Sequence, residues 1–245
     1  MKTFQQAQAA LRKRKNPRKV VFLMRYFKTG KGEYAEGDKF LGITVPLTRS
    51  IAKDFKDMSI ADALKLLEST WHEERLMATF ILDDLYKQAV KNNNAADQKK
   101  IFEGYLKRVA KYVNNWDLVD LSARDIVGRY LEDKPRGIIH KLSKSKNLWE
   151  KRVSVLSTFW FIARNDYDDA LKVAETLLSD SHDLIHKAVG WMLREIGNRS
   201  SQTEKKFLDK HAKNMSRTTL RYAIEKFPEN LRKKYLAIKR ADIVK

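Results

Sequence analysis

The residues best equipped for chemistry in this chain lie in Tyr112-Val113-Asn114-Asn115-Trp116-Asp117-Leu118-Val119-Asp120-Leu121. In a helix, Trp116 and Asp120 share one face a single turn apart. A carboxylate beside an indole can steady a positive charge that develops during a reaction. The same spacing also fits plain architecture, with Asp117 capping the helix or pairing with Arg124 while Trp116 fills the core. Trp191 stands one turn after Lys187 and is open to the same two readings, a working face or core packing. On spacing alone both readings stand.

Other chemistries find no support. The chain has no cysteine, which excludes disulfides, thiolate nucleophiles, iron–sulfur clusters and Cys-type zinc sites. Gly30-Lys31-Gly32-Glu33-Tyr34-Ala35 matches a loose dinucleotide pattern, but no strand precedes it and no βαβ unit surrounds it. There is no phosphate-loop sequence, no Gly-x-Ser-x-Gly elbow and no His-Glu-x-x-His. His182 and His186 sit four apart, yet no third ligand is near, so they are read as surface or packing histidines. No metal and no cofactor is expected.

The elements that must position these residues are helices. Nine glycines and four prolines in 245 residues leave little punctuation for sheets. Apolar residues recur at helical spacing at Ala78, Ile81, Leu82, Leu85, Tyr86 and Ala89, again at Leu156, Phe159, Trp160 and Ala163, and again at Ile185, Ala188, Val189, Met192 and Ile196. Ser59 with Asp62, Thr70 with Glu73, Asn147 with Glu150 and Ser201 with Glu204 read as helix starts, and Pro17 and Pro46 suit first turns. The pattern predicts an all-α chain of roughly a dozen helices, with an ordered loop over residues 29–39.

The helices also repeat. Arg152, Lys187 and Arg221 occupy matched points in similar strings, 35 and 34 residues apart, and Arg75 in His72-Glu73-Glu74-Arg75-Leu76 fits an earlier copy. Such a period predicts one α-solenoid domain over 1–245, built of HEAT-like helix pairs whose inner helices line a concave basic surface. Fifty Lys+Arg against 31 Asp+Glu leave +19, a charge that suits a polyanionic partner. No apolar run reaches the roughly 20 residues of a bilayer span, and the first residues carry no apolar leader, so a cytoplasmic monomer is expected.

Four strings give these patterns a family likeness: Phe40-Leu41-Gly42-Ile43-Thr44-Val45-Pro46-Leu47-Thr48-Arg49, Trp116-Asp117-Leu118-Val119-Asp120, Asn147-Leu148-Trp149-Glu150-Lys151-Arg152 and Lys187-Ala188-Val189-Gly190-Trp191-Met192-Leu193-Arg194-Glu195. In order and spacing the chain resembles, over residues 4 to 230, the bacterial DNA alkylation repair glycosylases built from HEAT-like repeats. The last string is the most specific. The resemblance implies that Asp120 is the catalytic carboxylate, that Trp116 and Trp191 are its aromatic neighbours, that Arg152 holds a backbone phosphate, and that Tyr26 lies near the same cleft. Asn115 stands where an extra Trp is common in the family. Arg75, Lys187, Arg194 and Arg221 are further candidates for phosphate contact.

The activity so implied is excision of cationic N3- and N7-alkylated purines, 3-methyladenine and 7-methylguanine, from double-stranded DNA without enclosing the base. Breaking the N-glycosidic bond puts oxocarbenium character on the sugar, which a fixed carboxylate stabilises. An already cationic purine leaves without a general acid, so one carboxylate suffices. Composition, repeat and charge suit equally a non-catalytic HEAT-like module that binds branched or damaged DNA; the family includes such relatives, usually lacking the Asp or an aromatic, and this chain keeps them all. A protein-binding scaffold fits +19 only with a very acidic partner.

Overall fold

Helices start where the sequence offers acceptors to free N–H groups, and the computed structural model, which describes residues 2–239, is helical throughout. The chain divides into two compact units, Met1–Tyr130 and Leu131–Lys245. Among the described residues there is no β-strand, only an isolated bridge between Lys39 and Trp71. Among the described residues no helix is long and apolar enough to cross a membrane.

The first unit carries α1 (Phe4–Arg12), α2 (Pro17–Tyr26), α3 (Val45–Ala52), α4 (Ile60–Leu66), α5 (His72–Lys91), α6 (Ala95–Tyr112) and α7 (Trp116–Asp120). Ser59 caps α4 by accepting from the Asp62 amide and donating to its carboxylate. Pro17 and Pro46 occupy first turns, as expected. Residues 29–39 form the predicted non-helical loop, tied by Glu33 to the Gly30 amide and by Glu36 to the Gly32 amide.

Helix α5 is the centre of this unit. Residues 72–82 are all buried, so the stripe of Ala78, Ile81, Leu82, Tyr86 and Ala89 continues around the whole first half of the helix. Burial on every side obliges the polar residues there to find partners. Glu74 takes hydrogen bonds from Gln8, Arg12 and Ser69. Glu73 accepts from the amides of Leu41, Gly42 and Ile43 at 2.8, 2.8 and 3.1 Å. This use of Glu73 corrects the expected start: it cannot reach back to Thr70, and Trp71 is the N-cap, without a side-chain cap bond. Gly42 makes the amide cradle possible. Its φ is +84°, and a Cβ there would lie 2.0 Å from the Asn16 carbonyl oxygen.

The second unit carries α8 (Gly137–Ser143), α9 (Leu148–Ser157), α10 (Phe159–Ile162), α11 (Asp168–Thr176), α12 (Asp183–Gly197), α13 (Ser201–His211), α14 (Arg217–Ala223) and α15 (Glu229–Ala237). Asn147 caps α9, accepting from the amides of Trp149 and Glu150. The cap of α13 is Ser200 rather than Ser201, because its hydroxyl takes the Thr203 amide and leaves the Glu204 side chain to turn inward. Helices α9, α12 and α14 start at Leu148, Asp183 and Arg217, so the 35- and 34-residue steps recur in the helix starts. Gly190 lets α12 approach α14 closely: a Cβ would meet Tyr222 Cβ at 2.5 Å and the Thr219 oxygen at 2.6 Å.

Candidate active site

Helix α7 begins where Asn115 turns the chain. Asn115 is fully buried, and its Oδ1 accepts from the Trp116 amide at 2.9 Å. The turn places Trp116, Asp117 and Asp120 on the wall of a cleft of about 410 Å³, which α2 closes with Phe22 and Tyr26 and the start of α3 and the segment before it close with Pro46 and Ile43. Asp120 is partly exposed there, whereas Asp117 is buried. The expected pairing of Trp116 and Asp120 on one cleft-facing turn is therefore what the backbone produces.

Aromatic rings hold Trp116 in place. Its indole stacks on Phe27 at 5.6 Å between centroids and meets the edge of Tyr26 at 6.0 Å. Its side chain also hydrogen-bonds Tyr34. Phe27 stacks in turn on Phe40 at 5.3 Å, and both rings lie 4.7 Å from the imidazole of His72. Tyr26 is more than half exposed at the rim, so the structure places it at the cleft.

Behind Asp117 lies a buried row of charges. His72 donates from Nε2 to Asp117 Oδ2 at 2.9 Å and from Nδ1 to Asp38 Oδ2 at 3.2 Å, while Arg75 donates to Asp38 Oδ1 at 2.6 Å. Burial alone would pull the His72 pKa down. The charge of Asp117 and the hydrogen bonds to Asp117 and Asp38 outweigh it, so the pKa is pushed up to about 9. Burial works against the Asp38 carboxylate as well, yet its bond from His72 and the charge of Arg75 hold its pKa below the usual value. Two carboxylates facing one imidazolium and one guanidinium leave the row neutral, a condition for burying it. The Asp117 carboxylate accepts from His72 and from the Leu118 amide.

This row corrects one expectation. Arg75 is 3% exposed, with its terminal nitrogens engaged by Asp38 and the Ser69 carbonyl, so it faces no phosphate and instead steadies Asp38. The partners of His72 stand 34 and 45 residues away along the chain, which is why periodicity did not reveal it.

A cleft that joins a carboxylate to an indole on one short helix is the arrangement the sequence strings resemble, and a family model of DNA alkylation repair enzymes matches residues 7–227. The chain belongs to the DNA alkylation repair enzyme family. Membership carries a role in alkylation repair and DNA binding. In fold the chain is similar to a predicted DNA alkylation repair enzyme from Enterococcus faecalis, with a TM-score of 0.69 at 17% identity, covering 88% of this chain and 97% of the other. Among curated proteins none matches this sequence.

The remaining residues that the family strings single out lie in the second unit. Trp191 is partly exposed, donates from Nε1 to Glu195 at 3.2 Å and meets Phe159 edge-on at 5.8 Å. Arg152 is 5% exposed and donates to the Leu184 carbonyl at 2.6 Å. Lys187 pairs with Asp183 at 2.8 Å, Arg194 pairs with Glu225, and Arg221 is exposed. Matched positions in the repeat thus sit in quite different surroundings. His182 caps α12 by accepting from the Leu184 amide, and His186 reaches the Asp180 carbonyl.

Proposed function

We propose that this DNA alkylation repair enzyme is a monofunctional DNA glycosylase that releases N3- and N7-alkylated purines from duplex DNA. The observation that carries the reading is the shared cleft: Asp120, Trp116 and Tyr26 line one opening, and the carboxylate is reachable from solvent. The C1′–N bond breaks with its electron pair going to the cationic purine, which departs neutral. The sugar becomes an oxocarbenium ion, and Asp120 stabilises it while orienting a water molecule. Water adds its oxygen to C1′, and its proton passes to the carboxylate and then to solvent.

The indole of Trp116 offers its face to the positive nucleotide, worth about 0.5 to 2 kcal/mol depending on desolvation. Phe27 stacks on the indole at 5.6 Å between centroids and helps hold the ring in place. The resemblance assigns Trp191 as a second such face and Arg152, with Lys187, Arg194 and Arg221, to the DNA backbone. Phe22 and Tyr26 at the cleft are more than half exposed, which suits attack at the sugar without burying the base.

The test is release of free 7-methylguanine or 3-methyladenine from alkylated duplex, run with Asp120→Asn at equal DNA occupancy. Release by the parent and a loss of at least about 100-fold in the variant are expected, since removing one stabiliser of transition-state charge costs on that order. A parent that binds but releases nothing would make the chain a non-catalytic DNA-binding module.

A further inference from the structure

Helices α11 and α13 both pack on α12 within the second unit, and a groove of about 490 Å³ runs between them. Proteins hold ligands in spaces of this size. Half-buried Leu171 and buried Phe207 form its apolar floor, and the His211 imidazole packs 4.5 Å from the Phe207 ring. None of the residues that the family strings single out lines this groove.

Charge divides the groove by level. At the C-terminal ends of the two helices Glu175 accepts from Lys210 at 3.1 Å and lies 3.5 Å from His211 Nε2, which ties α11 to α13. Burial holds the His211 pKa below its ordinary value in spite of Glu175, so near neutral pH the ring adds apolar surface rather than charge. One turn nearer the N-terminal ends, Lys172 on α11 and Lys206 on α13 are exposed and line the groove from opposite walls. Among the described residues no ion pair engages either lysine. Cations set across an apolar floor with no acid between them are complementary to an anionic group that enters the groove.

The walls also say what carries that anion. Asp168 and Glu175 stand one turn to either side of Lys172 and would repel a run of phosphates. An apolar floor gives a phosphate backbone nothing to bury. A peptide helix meets both conditions, because residues one turn apart on it share a face and can set a carboxylate beside an apolar side chain.

We propose that the groove between α11 and α13 is a docking site for an acidic amphipathic helix of a partner protein. An apolar side chain of that helix rests on Leu171 and Phe207, and its Asp or Glu side chains lie between Lys172 and Lys206. Docking there does not depend on excision, since the groove shares no residue with the cleft.

The probe is a synthetic amphipathic helix of about 14 residues, roughly four turns, with leucine along one face and glutamate beside it. Because the chain has no cysteine, a fluorophore on the Gln202→Cys variant reports from the groove wall alone, and one on Lys91→Cys, in the first unit, serves as control. The peptide should change the emission of the first label and not of the second. Lys172→Glu with Lys206→Glu should weaken peptide binding at least about tenfold. Lys91→Glu with Lys107→Glu, an equal change in net charge, should leave it within about twofold of the parent. All five side chains are exposed, so circular dichroism melts should match the parent. Peptides with serine in place of leucine, or glutamine in place of glutamate, should each bind at least about tenfold more weakly.

A silent Gln202 label, or parent-like peptide affinity in the Lys172 and Lys206 variant, would overturn the proposal. So would equal binding of the serine peptide, which would show attraction to net charge alone. Loss of duplex affinity in that variant with peptide binding unchanged would make the groove a DNA contact instead. Loss of a dimer in sedimentation velocity with peptide binding unchanged would make it a self-association face, and either result overturns the proposal.

Discussion

Asp120 and Trp116 are brought to the cleft by a helix of five residues, too short to hold its own orientation by backbone bonds. What fixes it is side-chain chemistry at its start: Asn115 on the Trp116 amide, the rings of Phe27 and Tyr26 on the indole, and His72 on Asp117. His72 is the member that titrates. With its pKa raised from 6.5 to about 9, the stability it contributes is complete below pH 6.5 and is lost as pH rises through about 9. His72→Gln should therefore lower stability by about 3 kcal/mol near neutral pH, as expected for breaking a buried ion pair. The deficit should shrink by pH 9.5. Denaturant unfolding at pH 7 and pH 9.5 checks this, and an equal deficit at both would show that the folded imidazole carries no charge.

Among the elements, the segment before α3 explains why Phe40-Leu41-Gly42-Ile43 has the sequence it has. Three successive amides point at one buried carboxylate, Glu73, and the chain can make that turn only with the φ of +84° at Gly42. Gly42→Ala adds the strain of a left-handed L residue, about 1–2 kcal/mol, and drives a methyl group into the Asn16 carbonyl. A loss of about 3 kcal/mol or more is expected in thermal or denaturant unfolding. A variant within about 0.5 kcal/mol of the parent would mean that the cradle can shift without cost. Because Ile43 and Pro46 line the cleft, the proposed excision should fall along with stability.

For the molecule as a whole, the charge of +19 makes DNA binding a matter of counterion release. The logarithm of affinity for duplex should fall linearly with the logarithm of salt concentration, by about 0.9 for each phosphate engaged. Arg152→Ala resolves what the repeat left open. If its guanidinium engages a phosphate, affinity falls and the slope becomes shallower, with little preference for sequence. A lower melting temperature with an unchanged slope would instead give Arg152 a structural task, to which its hydrogen bond to the Leu184 carbonyl contributes. Fluorescence anisotropy across a salt series, with a parallel melt, separates the two outcomes.

The sequence by itself determined the helices, the caps at Ser59 and Asn147, the loop over residues 29–39 and the shared turn of Trp116 and Asp120, because all of these depend on neighbours a few residues apart. Its likeness to a family pointed to Asp120 and Tyr26, both of which line the cleft. Tertiary structure decided which polar residues are inside. Glu73 does not cap its own helix, and Arg75 does not face a phosphate, because the first half of α5 is packed on all sides and its charges must be satisfied by groups tens of residues away. The same reason hid His72. Two carboxylates from distant segments close on one imidazole only after the chain has folded, and periodicity along a single helix carries no record of such a meeting.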